Sequence, residues 1–96
     1  MKQSYVYILK CSDESYYVGV TSDLTNRLFK HNTGFYPTCY TFNKRPLELV
    51  FYAEFTDITL AIEKEKQIKK WSRAKKEALI NGDYDSLVNL AKKNFE

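Results

Sequence analysis

The sequence predicts an α/β chain of the α+β type, a small three-stranded antiparallel sheet flanked by helices. Three observations carry this. Residues 4–11 and 15–20 are β-branched and aromatic with no helical period, and only a short polar turn separates them. Residues 47–55 have the same character. The segments between and after these strands carry apolar residues at helical spacing, bracketed by capping residues.

Each element follows from local chemistry. Ser4 to Cys11 and Ser15 to Val20 form a hairpin around the polar turn Ser12-Asp13-Glu14-Ser15. If Tyr7 and Tyr17 act together they share a sheet face, which requires opposed residue numbers to sum to an even value. The turn chemistry does not decide this, and the even register is expected on that ground. Thr21, Ser22 and Asp23 offer N-cap oxygens for a helix over 23–33 that Gly34 stops. Residues 35–46 read as a loop with two prolines, several aromatics and the basic pair Lys44-Arg45. The strand 47–55 is apolar enough to be central to the core. Thr56 or Asp57 caps a helix over 58–71, and a break near Ser72 introduces another over 72–81. Asn81-Gly82-Asp83 is a stop, and a last helix is expected over 84–93 with Leu87, Leu90 and Ala91 inward. No repeat or linker interrupts residues 1–96, which read as one domain.

Composition narrows the function classes. The chain is 44% hydrophobic and 16% aromatic, as a folded domain is and a disordered one is not. No apolar run is long enough to span a bilayer, and Met1-Lys2-Gln3-Ser4 is not followed by a signal-peptide core, so a cytoplasmic location is expected. Cys11 and Cys39 lack the close pairing of a zinc site and read as reduced thiols. Net charge is only +3, but residues 63–76 hold seven Lys or Arg against two Glu. That basic stretch suits a polyanionic partner, with a solvated helix face as the alternative.

The polar residues that face inward are more telling. On the first helix Leu24 and Leu28 define the apolar stripe, and Arg27 and His31 fall on it while Phe29 and Lys30 do not. On the second helix the stripe is read as Ile58, Ala61, Ile62 and Ile68, with Glu65 at its centre, Glu63 far round and Trp71 off it. Unpaired buried charge is unfavourable, so these groups should meet each other, a metal or a phosphate. The structural alternative is an Arg27–Glu65 ion pair with His31 as a hydrogen-bonded core residue. Gly19 reads as a strand end or bulge, or as space for a phosphate to approach the backbone.

Tyr5-Val6-Tyr7, Tyr17-Val18-Gly19, the Arg27-x-x-x-His31 helix and Glu65 together resemble the GIY-YIG nuclease family. The similarity is strongest to stand-alone members akin to the nuclease domain at the N-terminus of the UvrC excision-repair subunit, and it extends to about Ile80. Tyr5 stands where the family name has Gly, Val replaces Ile in both motifs, and the interval between them is slightly short. Glu77 occupies the offset at which many members carry an Asn.

The resemblance implies a DNA endonuclease that hydrolyses phosphodiester bonds with Mg²⁺ or Mn²⁺, of repair or recombination type. Tyr7, Tyr17, Arg27, His31 and Glu65 would be its catalytic residues. It implies Glu65 as the protein ligand to the metal and Arg27 on a non-bridging phosphate oxygen. Tyr17 would be the general base, Tyr7 would orient the attacking water or a phosphate oxygen, and His31 would hydrogen-bond Tyr17 or the phosphate, with His31 as the competing general base. Lys44, Arg45, Lys66, Lys69, Lys70 and Arg73 are the expected contacts to DNA phosphates. Tyr36, Tyr40 and Phe42 either stack on an exposed base of branched, flapped or nicked DNA or close the loop over the core. A non-catalytic nucleic-acid-binding module and a nuclease subunit needing a protein partner are the alternatives. The geometric expectation is Tyr7 and Tyr17 on one sheet face with Glu65 across a cleft from them.

Overall fold

The computed structural model describes residues 3–34 and 41–83. Strand β1 (Ser4–Lys10), strand β2 (Tyr16–Thr21), helix α1 (Leu24–Asn32), strand β3 (Glu48–Phe55), helix α2 (Ile58–Lys69) and helix α3 (Arg73–Ile80) follow in that order. A single 3₁₀ turn over Phe42–Lys44 precedes β3. The α+β class and the antiparallel sheet are as expected, and the boundaries agree within two residues. Cys39, Tyr36, Tyr40 and the helix expected over 84–93 lie outside the described residues.

The sheet order is β2-β1-β3, with both pairings antiparallel. Tyr7 opposes Gly19 and Leu9 opposes Tyr17, which is the even register. The five-residue connection is closed by Cys11 N–H to Ser15 O at 2.8 Å and Glu14 N–H to Cys11 O at 3.0 Å. Glu14 adopts a left-handed φ of 72°, and the Asp13 carboxylate accepts from the Ser15 amide and hydroxyl. β3 occupies an edge and contains no fully buried residue, so the central place expected of it belongs to β1, where Val6, Tyr7, Ile8 and Leu9 are fully buried. β1 has a strand on each side, α2 on one face and α1 on the other, whereas β3 has a neighbouring strand on one side only.

Alternation along β1 divides the interior into two clusters. Val6 and Ile8 pack with Val18, Ala61 and Ile68, so α2 covers that face; Phe51, Trp71 and Leu79 close its rim. Tyr7 and Leu9 pack with Cys11 and Leu47 on the opposite face, where Leu24 and Leu28 bring in α1. Asp23, Asp57 and Ser72 are the N-caps, each accepting a hydrogen bond from a first-turn amide. Gly34 follows α1 with φ 74°, the left-handed stop its sequence position suggested.

One stripe differs from expectation. Ile58 and Ile62 are exposed, and α2 buries Ala61, Glu65 and Ile68 instead. Ile62 lies about 100° round the helix from Ala61, outside a contact line only one residue wide. Ile58 begins the first turn where the sheet has already ended at Phe55. Trp71, beyond the end of α2, packs against the same cluster as Ile68.

Gly19 has a packing reason that the sequence reading did not identify. A Cβ there would lie 2.5 Å from both Cζ and Oη of Tyr7. The space beside Gly19 is therefore filled by the phenol of its cross-strand partner. Because the Tyr7 ring is fully buried it cannot swing away. Gly19→Ala should lose about 1–3 kcal/mol of stability through overpacking, read from urea denaturation midpoints at unchanged slope.

Candidate active site

The phenol of Tyr7 reaches across the α1-covered face to His31, with Oη 3.1 Å from Nε2. The other ring nitrogen, Nδ1, lies 2.9 Å from the hydroxyl of Thr41. All three residues are at most 2% exposed. A polar chain from β1 through α1 to the segment preceding β3 thus runs inside the domain. No buried side-chain nitrogen or oxygen among the described residues is left without a partner. Tyr17, half-buried, completes the cluster. Its ring meets His31 edge-on at 5.4 Å and lies 6.3 Å from Tyr7.

His31 is brought inward by the apolar period of α1, as expected, and Phe29 is 66% exposed on the outside. Burial first, and then the nearby Arg27 guanidinium, push the imidazole below its ordinary proton affinity. Arg27 is half-buried one turn before His31. Neutral His31 can thus serve as donor at one nitrogen and acceptor at the other, which the Tyr7–His31–Thr41 chain requires.

Glu65 stands apart from this cluster. It is buried, but on α2, which covers the opposite face of the sheet. The expected cleft with Glu65 facing the two tyrosines across one sheet face is therefore replaced by an approach around an edge. Its carboxylate is paired with Lys69, Nζ to Oε1 at 2.5 Å, so the Arg27–Glu65 ion pair considered from sequence is not the one formed. The i, i+4 spacing with the acid first is the favourable order on a helix. Among the described residues no three His, Cys, Asp or Glu side chains converge on a common point. Tyr17 and Lys69, the partner of Glu65, meet at the outer edge of β2, where a groove of about 310 Å³ is lined by Tyr16, Tyr17, Val18, Lys69 and Lys76.

The basic residues fall into three groups. Lys66 on α2 and Lys70 at its C-cap are exposed. Lys44 is paired with Asp13, whose carboxyl is held well below the usual range by that ammonium and by Ser15; Arg45 donates to Phe42 O and lies over the Phe42 ring. Arg73 donates to Glu14 O at 2.6 Å, stacks on Tyr16 and pairs with Glu77 at 3.4 Å. Glu77 also accepts from the Tyr16 phenol at 3.1 Å, which fastens α3 to the hairpin. Burial, and then this bond, raise the Tyr16 phenol above its ordinary value.

A sequence model described as the GIY-YIG catalytic domain matches residues 3–78. The chain belongs to the GIY-YIG family. Its resemblance to that family, drawn from Tyr7, Tyr17, Arg27, His31 and Glu65, is thereby shown, and the catalytic domain of this family is a nuclease domain. The chain is 44% identical over 80 residues to a UPF0213 protein of Syntrophus aciditrophicus, covering 83% of this chain and 92% of that protein. It is 41% identical over 76 residues to a UPF0213 protein of the haloarchaeon Natronomonas pharaonis, covering 79% and 88%. Solution NMR structures of a UPF0213 protein from Bacillus halodurans and of a protein from E. faecalis are similar to it. The first has TM-score 0.55 and 39% identity over 82% of this chain and 83% of that one. The second has TM-score 0.60 and 30% identity over 88% of each. Among the described residues no helix is long and apolar enough to cross a membrane.

Sequence reasoning missed Thr41 and Lys76. Thr41 carries no local signal, because a lone threonine in a loop has no period. The Lys69 pairing was open to view in the Glu65-x-x-x-Lys69 spacing.

Two outcomes test the buried chain. Thr41→Val leaves Nδ1 of His31 without its partner and should lose about 1–3 kcal/mol, with Thr41→Ser recovering most of it. His31 is the sole histidine. Its folded proton affinity is lowered, so the unfolded chain binds the proton first. Stability should be constant just above pH ~6.5 and fall as pH drops through that value toward the lower folded pKa. Urea midpoints across that window check it, and His31→Gln should flatten the curve.

Proposed function

We propose that this GIY-YIG protein is a metal-dependent DNA endonuclease that hydrolyses phosphodiester bonds, acting on branched, flapped or nicked DNA. The observation that carries the reading is the Tyr7–His31–Thr41 chain with Tyr17 edge-on to His31 and Arg27 beside it. An interior of this size gains little stability from so much polar structure, and Tyr17, half-open, lines a groove with two lysines.

Tyr17 is the general base in this reading. Both ring nitrogens of His31 are engaged with buried hydroxyls, so accepting a proton from water would first break a buried hydrogen bond. An ordinary tyrosine ionises near pH ~10, so such a base needs positive charge close by. Lys69 and Lys76 line the same groove, and that supports the assignment. Tyr7 and His31 hold one another and fix the position of Tyr17, which takes the proton of the attacking water. Arg27 takes a non-bridging phosphate oxygen, where its planar fork suits the geometry.

Glu65 would hold Mg²⁺ or Mn²⁺. A single nearly buried carboxylate, with no further acidic or imidazole ligands converging on it among the described residues, suits a hard cation that keeps most of its waters. When bound, the metal supplies Lewis-acid stabilisation of the charge that develops on the phosphate and the leaving oxygen. Lys66, next to Glu65 on α2, and Lys70, at the C-cap of α2, are exposed and contact backbone phosphates without reading sequence. Lys44, Arg45 and Arg73 act chiefly as clamps in the free protein, each with a partner of its own.

The purified protein should cleave at least one of nicked, flapped, branched and linear DNA in Mg²⁺ and none in EDTA. Tyr17→Phe should lower the single-turnover rate by roughly 10²–10⁴-fold. Glu65→Gln should reduce it to the EDTA level. Binding without cleavage on every substrate would sink the enzyme reading in favour of a nucleic-acid-binding module, and cleavage that survives Glu65→Gln would remove the metal assignment.

A further inference from the structure

The tyrosine cluster and Glu65 belong to opposite faces of the sheet, and the β2-edge groove has walls from both sides. Tyr16, Tyr17 and Val18 form the strand wall; Lys69 and Lys76 come from α2 and α3. Lys69 is the residue common to both halves, since it lines this groove and is also paired with Glu65. The two partners differ sharply in exposure: the Glu65 side chain is 10% exposed, and that of Lys69 is 53% exposed.

We propose that Lys69 is a displaceable counter-cation. Its ammonium neutralises Glu65 until a divalent cation takes the carboxylate, and then binds, with Lys76, a phosphate of the substrate strand beside Tyr17. This deepens the nuclease reading and rests on it. A carboxylate so far withdrawn from water needs a positive partner at all times, or it is destabilised as an unpaired buried charge. A long, solvent-facing side chain is the partner most easily removed, because its ammonium regains water as it leaves. An ammonium and a divalent cation in contact with one carboxylate oxygen repel each other strongly at this separation. The displaced head keeps a place to go, because Lys69 already lines the groove that Lys76 shares.

The experiment uses Mn²⁺ alone, titrated against the 96-residue protein without DNA and read from the free-ion EPR signal. Lys69→Gln should bind Mn²⁺ roughly two- to fivefold more tightly than the parent, the factor expected for removing a partly exposed ion pair. Lys69→Arg, which keeps the charge, should stay near the parent value. Lys66→Gln removes the same charge from an exposed neighbour of Glu65 and should change affinity less than Lys69→Gln. In the same proteins, the salt dependence of binding to nicked DNA should lose about one unit of slope for Lys69→Gln and again for Lys76→Gln.

Mn²⁺ affinity unchanged in Lys69→Gln, or raised as much by Lys66→Gln, overturns the counter-cation role. Unchanged salt slopes overturn the phosphate role. Mn²⁺ binding that Glu65→Gln leaves intact overturns the metal assignment beneath the proposal, an outcome distinct from either.

Discussion

The hydrogen bond between Tyr7 Oη and His31 Nε2 is the contact on which the rest of the structure is organised. It crosses the interior between the central strand and α1, and it needs space that only a glycine at position 19 leaves. The even pairing of β1 with β2 puts Gly19 opposite Tyr7. Thr41 closes the other side of the imidazole and so ties the segment leading to β3 into the same cluster. Four parts of the chain are thus tuned to one buried phenol. A slip of one residue in the hairpin would put the ring against a side chain and turn Tyr17 to the other face.

This constraint shapes the chemistry. His31 is held at both ring nitrogens and its proton affinity is lowered, so it is a fixed part of the packing around Tyr17. Glu65 sits on a helix that packs on the opposite face, so a site that includes it would have to wrap around the edge of β2. An edge strand is ordinarily a hazard for unwanted pairing. Here the edge is flanked by Lys69 and Lys76, and the Tyr16–Glu77–Arg73 contacts anchor α3 beside it.

Much of this was legible in the chain. The β-branched and aromatic runs, the capping residues and the two glycine stops define the elements to within two residues. The inward placement of His31 and Glu65 followed from helical period, and both are buried. The stripe of α2 was only half right, because Ile58 and Ile62 are apolar yet lie beyond the narrow line that meets the sheet. Hydropathy marks what would gain from burial, not how wide the buried line is. The reason for Gly19 was not legible either, since a cross-strand ring clash exists only once the strands are paired.

Local chemistry and motif define the elements, their order, the parity required for Tyr7 and Tyr17 to share a face, and the family. Which face each helix covers and which partner each buried polar group takes emerge only when the elements pack together. Periodicity says which side of a helix is apolar but is silent about which side of a sheet will receive it. Glu65 thus became the partner of Lys69 rather than of Arg27, and His31 found Tyr7 and Thr41 at sequence separations of 24 and 10. Those pairings depend on how closely two backbones approach, a distance that no single segment encodes.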